Sequence, residues 1–267
     1  MTDFRIPWGG RGHQFEEREI QVVAKIMWEN GSLTQGTYQA EFEKAFAQYT
    51  GTKHAFAVSS CSAALELSAL LTQVGPGDEV LIPAHTFPAS AIPFARAGAK
   101  LIWVDIDPDT RLLSVDSIRD QITDRTKAIV VVHLYGLPAD MDPIMDLAKS
   151  RNIFVVEDAA QAIGATYNGK KVGSIGDFGC FSFHTQKNMT TLGEGGMLTL
   201  NNDDLADLVG GLRHNGARSF SKNRHRYWVP AMSNFGFDIN GVWPYNFCIG
   251  EIQCAVGLEL LKRMDQM

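Results

Sequence analysis

The sequence predicts an α/β protein: a mostly parallel central sheet with helices on both faces. Three observations carry that expectation. Seven short apolar runs are spread along the 267 residues. The runs are continuous rather than alternating, the pattern of strands covered on both sides. Helical stretches stand between them, and strand–helix alternation builds parallel sheets.

The elements follow in order. HAFAVSS (54–60) is the first run, and the helical stretch SAALELSALLTQVG comes after its serine-rich end. DEVLIPA (78–84) leads into FPASAIPFARAG, and KLIWVDI (100–106) into SVDSIRDQI. AIVVVHLYG (128–136) precedes MDPIMDLAKSRN, for which Asp140 and Asp142 read as helix caps. NIFVVEDAA (152–160), FGCFSFH (178–184) and GMLTLNN (196–202) complete the set, with Gly193, Gly195 and Gly196 in a tight turn before the last. No repeat, low-complexity tract or Pro- or Ser-rich linker interrupts them, so one large domain is expected.

Bulk properties exclude several classes. Hydrophobic residues make up 45% and charged residues 20%, ordinary values for a globular domain. A formal net charge of -6 offers no attraction to nucleic acid or anionic membranes. No apolar run approaches a membrane span. The opening MTDFRIPWGG lacks the charged-then-apolar pattern of a signal peptide, so the expected location is the cytoplasm. Cys61, Cys180, Cys248 and Cys254 form no C-x-x-C pair and read as reduced thiols. The histidines are scattered, with His13, His214 and His225 in polar stretches; they lack ligand spacing, and no metal is expected.

Ligands of such sheets bind at the carboxyl ends of the strands. Those ends are polar here: Ser59–Ser62, then His85, Thr86 and Phe87, then His133 and Tyr135, then Glu157, Asp158 and Gln161, then His184–Lys187. Taken singly, each has a bland reading as a cap or a solvated charge. Their coincidence at one edge suits pyridoxal 5′-phosphate (PLP). That cofactor needs a lysine amine for its aldehyde and a carboxylate for its pyridine nitrogen. It needs a helix N-terminus for its phosphate and a flat group against its ring. Lys187 and Asp158 supply the first two; the turn Ser60-Cys61-Ser62, with Ser182, suits the phosphate; Phe87 is the flat group. The rival phosphate motifs, G-x-x-x-x-G-K-[ST] and G-x-G-x-x-G after a strand, are absent.

The segments VVEDAAQAIGATYNGKKVGSIGDFGCFSFHTQKNMTTLGEGGML, GDEVLIPAHTF and YNFCIGEIQCAVGLELL closely resemble the DegT/StrS group of nucleotide-sugar aminotransferases, which are fold-type-I PLP enzymes. The resemblance runs from about Ile6 to the end. It implies that Lys187 forms the Schiff base and shuttles the proton, and that Asp158 pairs with the pyridine nitrogen. Gln161 is implied beside the ring or its phenolic oxygen, and Phe87 stacked on it. Ser62, Ser182 and the Cys61 amide are implied at the phosphate. Asn246 is implied to reach the phosphate of a neighbouring subunit's cofactor, which makes a homodimer with shared active sites. The implied reaction moves an amino group from an amino acid, glutamate above all, to a keto sugar linked to a nucleotide, in amino-sugar biosynthesis for polysaccharides or antibiotics.

The sequence departs from the family pattern in three places. Cys61-Ser62 stands where Gly-Thr is usual, and Cys248 where arginine is common. Family members also continue into a small C-terminal domain. Residues 1–250 are accordingly expected to be the PLP-binding large domain with its N-terminal arm, and 251–267 the start of a connector helix to a small domain that this sequence largely lacks. The apolar positions Ile252, Val256 and Leu260 of that helix are expected to want a partner surface. The basic stretch 213–228 reads either as a solvated loop or as a diphosphate contact. Two alternatives stay open: a PLP-dependent sugar dehydratase, which carries histidine in the place of Lys187, and an inactive PLP-binding fragment or regulator.

Overall fold

A computed structural model describes residues 15–29, 31–216 and 242–266. His13, His225 and the 217–228 part of the basic stretch lie outside the described residues. All seven apolar runs form strands: β1 (His54–Val58), β2 (Glu79–Pro83), β3 (Lys100–Val104), β4 (Thr126–Val132), β5 (Phe154–Asp158), β8 (Phe178–Ser182) and β9 (Gly196–Leu200). They make one sheet in the order β1-β9-β8-β5-β4-β2-β3. Neighbours from β8 to β3 pair in parallel, while β9 runs antiparallel to both β1 and β8. Six strands thus point one way, and their carboxyl ends share one edge.

Burial explains why the runs do not alternate. Along β4, Ala128, Val130 and Val132 enter one core, while Ile129 and Val131 enter another on the opposite face. Val156 and Val155 of β5 divide in the same way. Both faces are covered, so the run Ala128–Val132 of β4 is apolar at consecutive positions. The edge strand β3 departs from this: among the described residues it pairs only with β2, and Trp103 is 53% exposed.

Four helices come from the stretches marked in the sequence: α3 (Cys61–Thr72), α4 (Ile92–Arg96), α5 (Val115–Gln121) and α6 (Met141–Arg151). FPASAIPFARAG is broken in two, with a 3-10 turn over Pro88–Ser90 before α4, since Pro88 and Pro93 each sit at the first turn of a short helix. A small hairpin joins β6 (Thr166–Tyr167) to β7 (Lys170–Lys171) through Asn168-Gly169, both at positive φ (48° and 79°), the expected chemistry of a two-residue turn. The caps assigned to Asp140 and Asp142 are corrected by this hairpin. Asp140 makes no side-chain cap bond; it accepts the hydroxyl of Tyr167 (2.6 Å), and Asp142 accepts the amide of Asn168 (2.8 Å).

Helices α1 (Glu17–Trp28), α2 (Thr37–Thr50), α7 (Asp203–Arg213) and α8 (Glu251–Leu261) complete the set. The apolar side of α8 does not wait for a partner. Val256 and Leu260 are 1% exposed, in a core with Phe42 and Phe46 of α2 and with Phe181 and Phe183. Phe46 packs edge-on against Phe181 at 4.9 Å. Glu251 ties the two helices at their ends. Gly36 offers α2 no capping side chain, and the Glu251 carboxylate accepts the N–H groups of Gly36 (2.9 Å), Tyr38 (2.8 Å) and Gln39 (3.1 Å) instead. A Cβ on Gly36 would stand 2.6 Å from Glu251 Oε2, so a side chain there would push the capping carboxylate aside. Among the described residues, no helix is long and apolar enough to cross a membrane.

Candidate active site

The shared carboxyl edge is where polar residues collect, and α3 begins there. Ser60 caps this helix by accepting the N–H of Ala63 at its Oγ (3.1 Å). The N–H groups of Cys61 and Ser62, at the first turn, have no intrahelical acceptor and carry the positive end of the helix dipole. An anion is the natural partner of such a terminus. The Cys61 side chain turns into the core, and burial pushes its thiol well above the usual range; what Cys61 offers the edge is its amide. Gly196 opens β9 directly against this turn. A Cβ there would lie 2.3 Å from the Ser60 carbonyl carbon and 2.6 Å from the Cys61 nitrogen, so only glycine permits the approach.

Asp158 closes β5, with 6% of its surface exposed. Its Oδ2 accepts the Ser90 hydroxyl (2.6 Å) and its Oδ1 the Ala160 N–H (3.1 Å). Because an ionised carboxylate only accepts, Ser90 donates to it and in turn accepts from Thr86 Oγ1 (2.8 Å). Burial pushes the Asp158 pKa up, while the Ser90 and Ala160 hydrogen bonds and the Lys187 ammonium pull it down. A group that costs this much to ionise in isolation suits a cationic partner.

Lys187 follows β8 on a loop tightly tied to the start of β9. Phe183 N–H donates to Gly195 O (2.8 Å), Thr185 N–H to Gly193 O (2.9 Å) and Lys187 N–H to His184 O (2.9 Å). Gly193 uses a φ of 120°, and a Cβ on Gly195 would stand 2.1 Å from Thr191 Oγ1, so the glycines of this turn answer to backbone shape and close approach.

These elements enclose a cleft of about 390 Å³. Cys61, Ser62, Phe87, Asp158, Gln161, Ser182 and Lys187 all line it. Ser182 is buried and Lys187 half-buried, whereas Phe87 is 72% exposed at the mouth. Asn246 does not line the cleft of its own chain. It is exposed, its Oδ1 accepts the Cys248 N–H (3.3 Å), and the next residue, Phe247, accepts the Ser59 N–H (2.9 Å) behind the α3 turn. Ser90 and Thr86 support Asp158 without having been assigned that work from the sequence, since no local pattern joins residue 90 to residue 158. His184 and Glu194, 3.7 Å apart, also border the cleft.

One sequence reading changes here. Arg213, at the start of the basic stretch, is not a solvated charge: it is largely buried, paired with Glu43 and donating to Ala57 O (2.7 Å). Cys248 stands near this pair, with its Sγ 3.8 Å from both Gln35 Nε2 and Arg213 O, and burial raises its pKa. All four cysteines are free thiols.

A mixed seven-stranded sheet, a helix N-terminus, a buried aspartate and a loop lysine at one edge define a fold-type-I α/β transferase. Residues 13–267 match the DegT/DnrJ/EryC1/StrS aminotransferase family, and the chain belongs to it. It is 46% identical over 253 residues to the GDP-perosamine synthase of Caulobacter vibrioides, covering 95% of this chain and 64% of that protein. Among solved structures, the aminotransferase of Psychrobacter cryohalolentis matches with a TM-score of 0.87 at 34% identity, covering 97% of this chain and 64% of that one. A Streptococcus pneumoniae aminotransferase in its PLP-form matches with a TM-score of 0.83 at 32% identity, covering 99% of this chain and 68% of that one. The chain thus spans 64% of the length of its Caulobacter relative.

Proposed function

We propose that this chain binds PLP and serves the transfer of an amino group from an amino acid, glutamate in our reading, to a keto sugar linked to a nucleotide. The observation that carries this reading is one cleft bordered by Lys187, by buried Asp158 and by the N-terminal turn of α3. The residues fit the cofactor. The α3 amides suit its phosphate, Gly196 leaves that turn room, and a buried carboxylate held at both oxygens suits a protonated ring nitrogen. The volume is within the range of small-molecule sites.

When bound, PLP supplies an aldehyde that condenses with amines and a protonated ring that draws electrons from the attached carbon. The protein's own groups do the rest. The Cys61 and Ser62 amides, with the Ser62 and Ser182 hydroxyls, hold the phosphate. Asp158 keeps the proton on the ring nitrogen, and Ser90 keeps Asp158 in place. Phe87 covers one ring face and excludes water. Lys187 Nζ, on the cleft wall, is the amine that would hold the cofactor's aldehyde and, when free, would carry a proton at its nitrogen. The presence of lysine at 187 favours this reaction over dehydration, for which histidine would stand there. The test is a half-reaction: glutamate should bleach the visible band of the PLP-loaded protein, and a nucleotide-linked keto sugar should restore it with an amino-sugar product seen by mass. A band unmoved by any amino donor would leave the regulator or inactive-fragment reading in its place.

The same reading makes the active unit a homodimer, with Asn246 serving the partner's phosphate. A Lys187→Ala protomer mixed with an Asn246→Ala protomer should regain up to about half of one wild-type dimer's activity per heterodimer, because one of its two sites then has both residues. Heterodimers that form and stay dead would remove Asn246 from the neighbouring site.

A further inference from the structure

His133 and Glu157 are fully buried beside the cleft, and the reaction derived above uses neither. Glu157 lies on β5 one residue before Asp158. Its Oε2 accepts from His133 Nε2 (2.9 Å) and the Gly173 N–H (2.7 Å), and its Oε1 from the N–H groups of Ile175 (2.7 Å) and Gly176 (2.6 Å). On the other side of the imidazole, Nδ1 accepts the N–H of Ala139 (3.1 Å). A donor facing Nδ1 makes that nitrogen the acceptor and leaves Nε2 to donate to Glu157. The imidazole therefore pins both ends of the turn 133–139 to β5, while the His133 N–H donates to the Asp158 carbonyl (3.1 Å).

Inside that turn stands Tyr135, at φ 55° and ψ 21°, a left-handed conformation rare for a residue with a side chain. Its N–H donates to Gln161 Oε1 (2.8 Å). This bond sets the sense of the Gln161 carboxamide: Oε1 faces the backbone of the turn, and the N–H2 half is the donor that the residue has to offer. We propose that the buried His133–Glu157 pair is a positioning element that, through the Tyr135 turn, aims the Gln161 amide donor at the phenolic oxygen of the bound cofactor. This rests on the PLP reading above. A donor at that oxygen stabilises the phenolate and lowers the pH at which the visible band titrates.

The test is an absorbance titration of the PLP-loaded protein. Gln161→Leu removes the donor and should move the midpoint up by roughly one unit, the size of one hydrogen bond to a charged group. His133→Asn keeps an acceptor for Ala139 but withdraws the donor from Glu157, which retains its three amides. It should move the midpoint in the same direction, and the double variant should move it no further than Gln161→Leu alone. A wild-type midpoint in His133→Asn, or shifts that add in the double variant, would overturn the proposal. Should His133→Asn fail to fold, nitrogen NMR of the unaltered protein decides. Nδ1 should stay unprotonated and the Gln161 side-chain N–H2 signals should shift on loading; a protonated Nδ1 or unmoved signals overturn it. A wild type that shows no visible band after loading would overturn the PLP reading, and this one with it, which separates that failure from the outcomes above.

Discussion

Lys187→Ala should lower transamination by roughly 10³-fold or more, since it removes both the covalent anchor and the proton carrier. Cofactor affinity should fall less than turnover. The phosphate subsite, built from the α3 turn and Ser182, and the carboxylate of Asp158 are untouched by the substitution. The assignment can be read without kinetics. Borohydride reduction of the PLP-loaded wild type, followed by peptide mass mapping, should place the pyridoxyl group on Lys187. A label on another lysine, or an unchanged rate in Lys187→Ala, would sink the assignment. The loop around Lys187 also makes a control possible. Its shape is set by backbone bonds from Phe183 to Gly195 and from Thr185 to Gly193, which need no lysine side chain. The variant should therefore melt within a few degrees of the wild type, since the loop's backbone bonds are kept.

The strands were legible because the sheet is covered on both faces, which leaves unbroken apolar runs that turn residues delimit. Direction was not legible: GMLTL reads the same whether β9 runs parallel or antiparallel, and only its register against His54–Val58 and Phe178–Ser182 reveals the reversal. The site residues were legible wherever a strand end carried them, as with Asp158, Gln161, Ser182 and Lys187. Residues that act across long separations were not. Ser90 supports Asp158 from 68 positions away, and Glu251 caps α2 from 215 positions beyond Gly36. Arg213 was misread for a related reason. It opens a basic stretch, and composition averages over neighbours, whereas its pairing with Glu43 depends on the fold bringing the end of α7 and a residue of α2 together beside the edge strand β1. The partner for α8 was hidden in the same way, because Phe42 and Val256 meet only through the fold.

Asp158→Asn should separate stability from catalysis. Burial raises the Asp158 pKa above its unfolded value near 3.9, so the folded protein holds that proton more tightly than the unfolded chain. The sign follows: as pH rises from about 4 through the folded pKa, ionising Asp158 costs the cofactor-free protein stability. An asparagine removes this cost. It can still accept the Ala160 N–H at its oxygen, and its amide can donate to Ser90, whose hydroxyl accepts as readily as it donates. Cofactor-free Asp158→Asn should therefore melt no lower than the wild type at neutral pH, and its stability should depend less on pH above about 4. Activity should move the other way. An amide cannot keep the ring nitrogen protonated, and turnover should drop on the order of 10³-fold, about 4 kcal/mol of transition-state stabilisation. Some cofactor should be retained, because the phosphate subsite is intact. Melting curves of the cofactor-free proteins and rates of the loaded ones test the two halves separately. Near-normal turnover in Asp158→Asn would reduce the aspartate to a turn-stabilising residue that accepts the Ala160 N–H. A clear loss of cofactor-free stability would show that its charge, rather than its shape, holds the edge of the sheet together.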